Sequence, residues 1–306
     1  MVAIAMGVHV LDVLVRPVEA IPEGQGGALV DEIKITAAGS AGGTAITLAK
    51  LGAKVLSAGA IGSDAVGDML VSLLERDGID TRHLVRRDDV QTSASVLPIR
   101  PSGERPALHV IGANATYGPD DVPWDALRDA THLHLGGPEF MGGEAAARIL
   151  AHARENGATT SADILAPGEQ ASDIIDWIAP AFAELDYLLP NDEQVLGLTG
   201  EEDLASGCRA LIRRGVGCVV ATQGAEGVLI VDEEGSEPVR AFDVDAVDTT
   251  GCGDAFSAGF LRGLSLGRSR RGSARLGCAA AGMVAQGLGS DHGDFDVATL
   301  DELPAP

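Results

Sequence analysis

Lysine is almost missing from this 306-residue chain: Lys34, Lys50 and Lys54 are the only three, and all bases together number 22 against 45 acids. The resulting formal charge of −23 repels phosphate backbones and anionic lipid, which argues against nucleic-acid and membrane-surface roles. Cysteine is equally sparse. Cys208, Cys218, Cys252 and Cys278 form no CxxC pair and no cluster with histidine, so neither a zinc site nor a disulfide framework is expected. The apolar opening MVAIAMGVHVLDVLV is interrupted by Gly7, His9 and Asp12 and is too short to span a bilayer. It also lacks a basic leader and a cleavage pattern, so the expectation is a cytoplasmic protein. There is no GxxxxGK[ST] loop, and no GxGxxG follows the first apolar run. Both absences argue against P-loop ATPases and dinucleotide oxidoreductases.

Aromatic residues make up only 3% of the chain, whereas hydrophobic residues reach 45% and glycine numbers 40, a composition suited to closely packed layers. Short apolar runs recur: AIAMGV near residue 3, VLSAGAIG near 55, HLHLGG from 132, TTSADIL from 159, DYLLPN from 186 and CVVATQG from 218. Stretches of helical period lie between them, at Thr44–Leu51, Gly67–Asp77, Gly143–Asn156 and Asp203–Arg214. This alternation predicts an α/β fold with a parallel sheet covered on both faces and ligands at the carboxyl ends of the strands. Residues 12–36 and 90–112 break the rhythm. They read as alternating strands, the second with a turn at Pro101–Gly103, that lead into no helix and form a small antiparallel flap. With no internal repeat or linker, one domain covering 1–306 is expected.

The segment AVDTTGCGDAFSAGFLRGL, residues 246–264, carries the chemistry. A strand gives way to a glycine-rich turn and then to a helix. Gly251, Cys252 and Gly253 have side chains small enough for their N–H groups to converge on an oxyanion at the helix N-terminus. Asp254 follows at once, placed to take a proton from an attacking hydroxyl. Read alone, it also suits an N-capping aspartate after a flexible turn. Glu139, just beyond the strand HLHLG, is a candidate for the pocket. His132 and His134 share a strand face without a third ligand at metal spacing and read as structural; the acidic run Asp291–Asp296 reads as a solvated loop.

DTTGCGDAFSAGF resembles the C-terminal signature of the ribokinase-like (PfkB) carbohydrate kinases, DTxGAGDxFxxGF, with Cys252 in place of the usual alanine. Further pieces follow in family order across nearly the whole chain. ATQGAEGVLI resembles the TxGxxG nucleotide segment, which implies ATP contacts at Thr222, Gly224 and Gly227. LLPNDEQVLGLTG resembles the PNxxE segment, with Asn191 at its asparagine, and GANATYGPDDV places Asn114 in a loop that reaches substrate. Asp12 sits where the family binds two sugar hydroxyls, a pairing that suits a carboxylate's two acceptor oxygens. The resemblance implies a three-layer sandwich with a central, mostly parallel sheet and a small β-strand lid. It implies Asp254 as catalytic base with Gly251, Cys252 and Gly253 as the anion hole. ATP and Mg²⁺ are the implied cofactors, and a monovalent cation, K⁺, is implied at Asp248 and Thr250. The substrate is then a small sugar-like molecule, and the lid strands are expected to pair two subunits into a homodimer.

Three positions depart from the family pattern. Counting back from Leu51–Gly52, AAGSAGGTAITLAKLG puts Gly39 in the glycine pair and Gly43 at a sugar-binding asparagine. Glycine at 43 is expected to open space in the acceptor pocket. Gln194 replaces the glutamate of PNxxE, which is tied to the Mg²⁺–water network. In SADILAP only Asp163 survives from DxNxR. The chain therefore reads as an ATP-dependent kinase of a sugar or sugar derivative. The alternatives are a nucleoside kinase, admitted by space at Gly43, and a non-catalytic nucleotide or sugar sensor.

Overall fold

The computed structural model describes residues 1–102, 104–165 and 171–304. The apolar runs become strands of a single large sheet. Its members are β1 (Val2–Gly7), β4 (Lys54–Gly62), β5 (Asp80–Arg87), β8 (His132–Gly136), β9 (Thr159–Asp163), β10 (Tyr187–Leu188), β11 (Val219–Thr222), β12 (Val228–Val231) and β13 (Ser236–Val239). Their order is β13-β12-β11-β10-β9-β8-β1-β4-β5. Every pairing from β5 through to β11 is parallel, and only the β11–β12 and β12–β13 pairings at one edge are antiparallel.

The two faces of β1 show why the sheet is covered twice. Ile4 and Met6 point to one core, shared with Leu133, Leu135, Leu188 and Val219, while Ala3 and Ala5 point to the other, shared with Val55, Ile61 and Val220. The first core is closed by α4 (Gly143–Glu155), α5 (Ala171–Phe182) and α7 (Leu204–Arg213), with the shorter α3 (Trp124–Asp129) and α6 (Asp192–Thr199) beside them. The second is closed by α1 (Ser40–Lys50), α2 (Ala65–Arg76), α8 (Cys252–Ser265) and α9 (Arg270–Val284). The last helix, α10 (Val297–Asp301), packs on α9 within a satellite cluster around Phe295. Each fully buried Leu, Ile or Met in these cores contributes about 1.5–3 kcal/mol relative to exposure, so both helical layers are held mainly by burial. Among the described residues no helix is long and apolar enough to cross a membrane.

A second sheet stands apart, with the order β3-β2-β6-β7: β2 (Val10–Arg16), β3 (Glu32–Ala38), β6 (Ala94–Pro98) and β7 (Leu108–Val110). Two of its three pairings are antiparallel, as the alternation predicts, and the rest of the arrangement differs. β2 and β6 run parallel, residues 17–31 form no strand, and β3 passes through Gly39 directly into α1. Period-2 alternation specifies which residues share a face but says nothing of a strand's partner or direction. Pro101 and Ser102 do form a turn; Gly103 lies outside the described residues. The register places Leu11, Val13 and Val15 on one face with Ile33, Ile35 and Val96, while Asp12, Lys34, Thr36 and Ser95 occupy the other.

Candidate active site

Side chains cap five helix N-termini: Asp64 for α2, Asn191 for α6, Asp203 for α7, Ser269 for α9 and Asp296 for α10 each accept a backbone N–H. Helix α8, like α1 and α4, begins instead on a glycine of positive φ. Its N-cap is Gly251, at φ +78°, and no side chain caps it. The Cys252 N–H is spent on the Thr249 carbonyl at 3.2 Å, whereas those of Gly251, Gly253 and Asp254 meet no acceptor among the described residues. Three of the four small-residue and acidic positions thus present free donors at a helix N-terminus, a ready site for an oxyanion. The Cys252 amide, expected in the same role, instead closes the turn.

Asp254 is the third residue of α8 rather than its N-cap, and its carboxylate accepts no hydrogen bond among the described residues. It lies deep in the protein yet keeps some access to solvent. Burial, then the nearby Asp12 carboxylate, push its pKa up to about 7, against the opposing pull of Arg105. Asp12 projects from the inner face of β2. Its pKa rises to about 6, chiefly through burial, with the Ser95 hydroxyl and the Arg105 charge opposing. Asp163, at the end of β9, is held well above the carboxylate range by burial and then by Asp254 and Glu139. Glu139 rises to about 7 through burial; its Oε1 accepts the Leu165 N–H at 2.6 Å. Asp12 on β2, Glu139 after β8, Asp163 at the end of β9 and Asp254 in α8 therefore lie close enough to couple, Asp254 to Asp12 and Asp163 to both Asp254 and Glu139.

Beside the α8 N-terminus lies a mostly apolar cavity of about 460 Å³. Its walls include Thr222, Gly224 and Gly227, and Cys252 and Gly253 at the helix end. Phe242, Val244, Cys278, Ala281 and Ala285 add to it, none of them marked by a sequence motif. An apolar slot opening on free N–H groups fits a nucleotide, with the base in the slot and the phosphates at the helix end. Arg105, on the loop before β7, is the other residue that sequence patterns missed. Its Nε donates to Thr249 Oγ1 at 3.1 Å, beside the turn.

Several expected contacts have other roles. A Cβ on Gly43 would fall 2.8 Å from Asp254 Cγ, so glycine here makes room for Asp254 and opens no acceptor space. The space on which the nucleoside alternative drew is therefore taken by Asp254. Gly39 turns β3 into α1 at φ +86°, with Val8 O against its missing Cβ. Asn114 is spent within the fold: buried, it accepts the His9 N–H at 3.2 Å and donates to the His9 carbonyl at 3.0 Å, clamping the β1–β2 loop. Asn191 and Gln194 form a reciprocal cap, and Gln194 Nε2 also donates to the Ile164 carbonyl. Asn191 flanks the cavity through its bridge to Thr222 but does not line it. Asp248 Oδ1 accepts from the Thr250 N–H and hydroxyl, and its Oδ2 accepts from Gly289 N at 2.9 Å, so both residues are spent on a buried turn. His132 and His134 bond Thr131 and Ser161 hydroxyls as structural residues, and among the described residues no acidic, thiol or imidazole groups cluster to hold a metal.

Comparison with known proteins agrees with this architecture. Residues 8–295 match the pfkB family carbohydrate kinase pattern. An ATP-dependent ribose-1-phosphate kinase from Halopiger xanaduensis is 33% identical over 250 residues, covering 82% of this chain and 80% of that one. A ribokinase from Haemophilus influenzae is 29% identical over 257 residues, covering 81% and 80%. In three dimensions, an E. coli protein provisionally described as a ribokinase II, solved with ATP and Mg²⁺, superposes with a TM-score of 0.83 at 18% identity, covering 98% and 97%. With a family match over nearly its full length, the chain belongs to the pfkB family of carbohydrate kinases and is an ATP-dependent enzyme of that kind.

Proposed function

We propose that the protein phosphorylates a hydroxyl of a sugar or sugar derivative, with Asp254 as the general base. The observation that carries this reading is the unspent Asp254 carboxylate beside the free N–H groups of Gly251 and Gly253, at the mouth of an apolar cavity. ATP supplies the phosphoryl group, and the Mg²⁺ it brings offsets charge between its phosphates. The remaining work belongs to side chains and amides of this chain. Asp12 accepts hydrogen bonds from acceptor hydroxyls and orients one toward Asp254. Asp254 takes that hydroxyl's proton as it attacks, and the N–H groups of Gly251 and Gly253 hold the developing negative charge. Glu193, exposed beside the Asn191–Gln194 cap, is the carboxylate that would face the water shell of a bound Mg²⁺. The small sheet acts as a lid, carrying Asp12 on its inner face and excluding water when it closes.

The outer face of that sheet exposes Ile33, Ile35, Val96 and Leu108, an apolar strip that supports pairing of two subunits in the cytoplasm. Light scattering checks it, since a monomer at working concentration removes this part of the reading. The activity is tested by ADP release from Mg-ATP with D-ribose, D-ribose 1-phosphate, D-fructose and adenosine, with Asp254→Asn alongside. Turnover abolished in the variant supports the assignment. Binding of ATP and sugar without turnover in the unmodified protein replaces it with a sensor.

A further inference from the structure

Two of the three lysines in the chain converge on one short loop, residues 288–293. Lys50, the last residue of α1, points its ammonium at three consecutive carbonyls: Asp291 at 2.6 Å, His292 at 3.1 Å and Gly293 at 2.6 Å. The same nitrogen lies 5.1 Å from the centre of the Phe295 ring. Lys34, from β3, donates to the Leu288 carbonyl at 2.6 Å and pairs with Asp291 Oδ1 at 2.7 Å. Three carbonyls turned toward a single point repel one another unless a cation sits there. An ammonium with three donors and no acceptor satisfies all of them.

The loop that these lysines hold is also the back wall of the anion-binding turn. Gly289 N donates to Asp248 Oδ2, whose other oxygen accepts from the Thr250 N–H and hydroxyl. One residue on, Ser290 packs against Gly251 so closely that a Cβ there would fall 2.6 Å from the Ser290 Cα. Leu288 packs under the small sheet with Leu14, Leu97 and Ile99. The loop thus touches the lid, the turn and α1.

We infer that Lys50 is a tethered cation: its ammonium holds the 288–293 loop against the 248–251 turn and so positions the anion hole, in place of a free monovalent ion. Lys50 touches neither phosphate nor acceptor; it is a positioning residue. The role rests on the kinase reading above, but the coupling of loop to turn stands without it. On this inference the K⁺ expected at Asp248 and Thr250 is not required, because the chain carries the charge itself.

Lys50→Ala removes the stem and ammonium, and propylammonium supplies the same three carbons and nitrogen. Three measurements decide the matter. In the first, Mg-ATP turnover of the unmodified protein with D-ribose and D-ribose 1-phosphate is compared in sodium and potassium buffers. In the second, kcat and acceptor KM of Lys50→Ala are measured with and without propylammonium, with propanol as control. In the third, amide hydrogen exchange is followed across 247–254 and 286–294. The expected result is potassium-independent turnover in the unmodified protein. In the variant, kcat falls about tenfold or more with acceptor KM within about twofold, as loss of a transition-state contact requires. Exchange rises in both segments, and propylammonium but not propanol reverses both effects. Strong potassium activation of the unmodified protein, unchanged turnover in Lys50→Ala, or faster exchange confined to 286–294 each overturns the inference. If Lys50→Ala does not fold, the isosteric Lys50→Met and the potassium comparison decide it. If the unmodified protein turns over no acceptor, the kinase reading fails while the exchange result still judges the coupling.

Discussion

Gly43 and Asp254 lie against each other across the α1–α8 crossing, 211 residues apart in sequence. A Cβ at position 43 would sit 2.8 Å from the Asp254 Cγ and 2.9 Å from its Cβ, so rotating the carboxylate cannot relieve the overlap. Helix α1 is therefore notched to admit the proposed base. Gly43→Ala should leave the fold intact while pushing Asp254 from its place, lowering kcat about a hundredfold, as a misplacement near 1 Å does. Steady-state kinetics with circular dichroism as a fold check measures this. A fully active Gly43→Ala would show that Asp254 has slack and that its position is not critical.

The titration of Asp254 gives a second prediction. With its pKa raised to about 7 by burial and by Asp12, the carboxylate is a competent base only above that value. Acceptor kcat/KM should therefore climb with pH to a plateau, with an apparent pKa near 7 belonging to the coupled Asp12–Asp254 pair. Asp254→Asn should lower kcat about 10²–10⁴-fold. Stability runs the other way. A raised folded pKa means the native state holds this proton more tightly than the unfolded chain, so the favourable contribution is present below the ordinary 3.8 and lost as pH rises through about 7. Asp254→Asn should accordingly melt higher than the unmodified protein on the alkaline side, by roughly 2–4 °C per kcal/mol of relieved strain, and show no gain in acid. A variant equally stable at both ends of the range would refute the burial argument.

What was legible in the sequence follows from how far apart the cooperating residues lie. The anion-binding turn, the base and the start of α8 are contiguous within 246–264, and the free donors at Gly251 and Gly253 follow from a helix begun by glycine. The parallel core was equally open to reading, because β1, β4, β8 and β9 are short apolar runs set between helical stretches. Gly43 was misread as open space because its neighbour is 211 positions away and nothing local announces it. Asn114 was misread for the same reason: its amide is spent on His9, a partner 105 residues distant. The apolar wall at Phe242, Val244, Ala281 and Ala285 had no motif, since any small or apolar side chain of suitable volume serves there.

Gln194 shows that an apparent loss can be a local requirement. Its Oε1 accepts the Asn191 N–H at 2.8 Å while its Nε2 donates to the Ile164 carbonyl, joining the start of α6 to the end of β9. A carboxylate could keep the first bond but would set acceptor against acceptor in the second. Restoring the family residue through Gln194→Glu should therefore destabilise the protein by about 1–3 kcal/mol, the cost of leaving the carbonyl unpaired. Denaturant titration checks the sign. Equal or higher stability in Gln194→Glu would mean that the Ile164 bond carries no weight.

Arg105 is the cation that opposes the raised pKa of both Asp12 and Asp254, and its Nε–Thr249 Oγ1 bond brings the loop between β6 and β7 to the edge of the turn. Removing that charge leaves the two carboxylates to repel each other unopposed. Arg105→Ala should therefore move the alkaline plateau of the rate profile to higher pH. Activity near neutrality would fall because less of Asp254 is ionised, and would recover as pH rises. Arg105→Lys, which keeps the charge, should stay close to the parent profile. The acceptor adds a second axis: if D-ribose 1-phosphate is turned over, its KM should rise more than that of D-ribose in Arg105→Ala, because only the anion loses an attraction. A loss that is the same at every pH and for both acceptors would assign Arg105 to the shape of the loop, and the electrostatic account of the base would have to rest on burial and Asp12 alone.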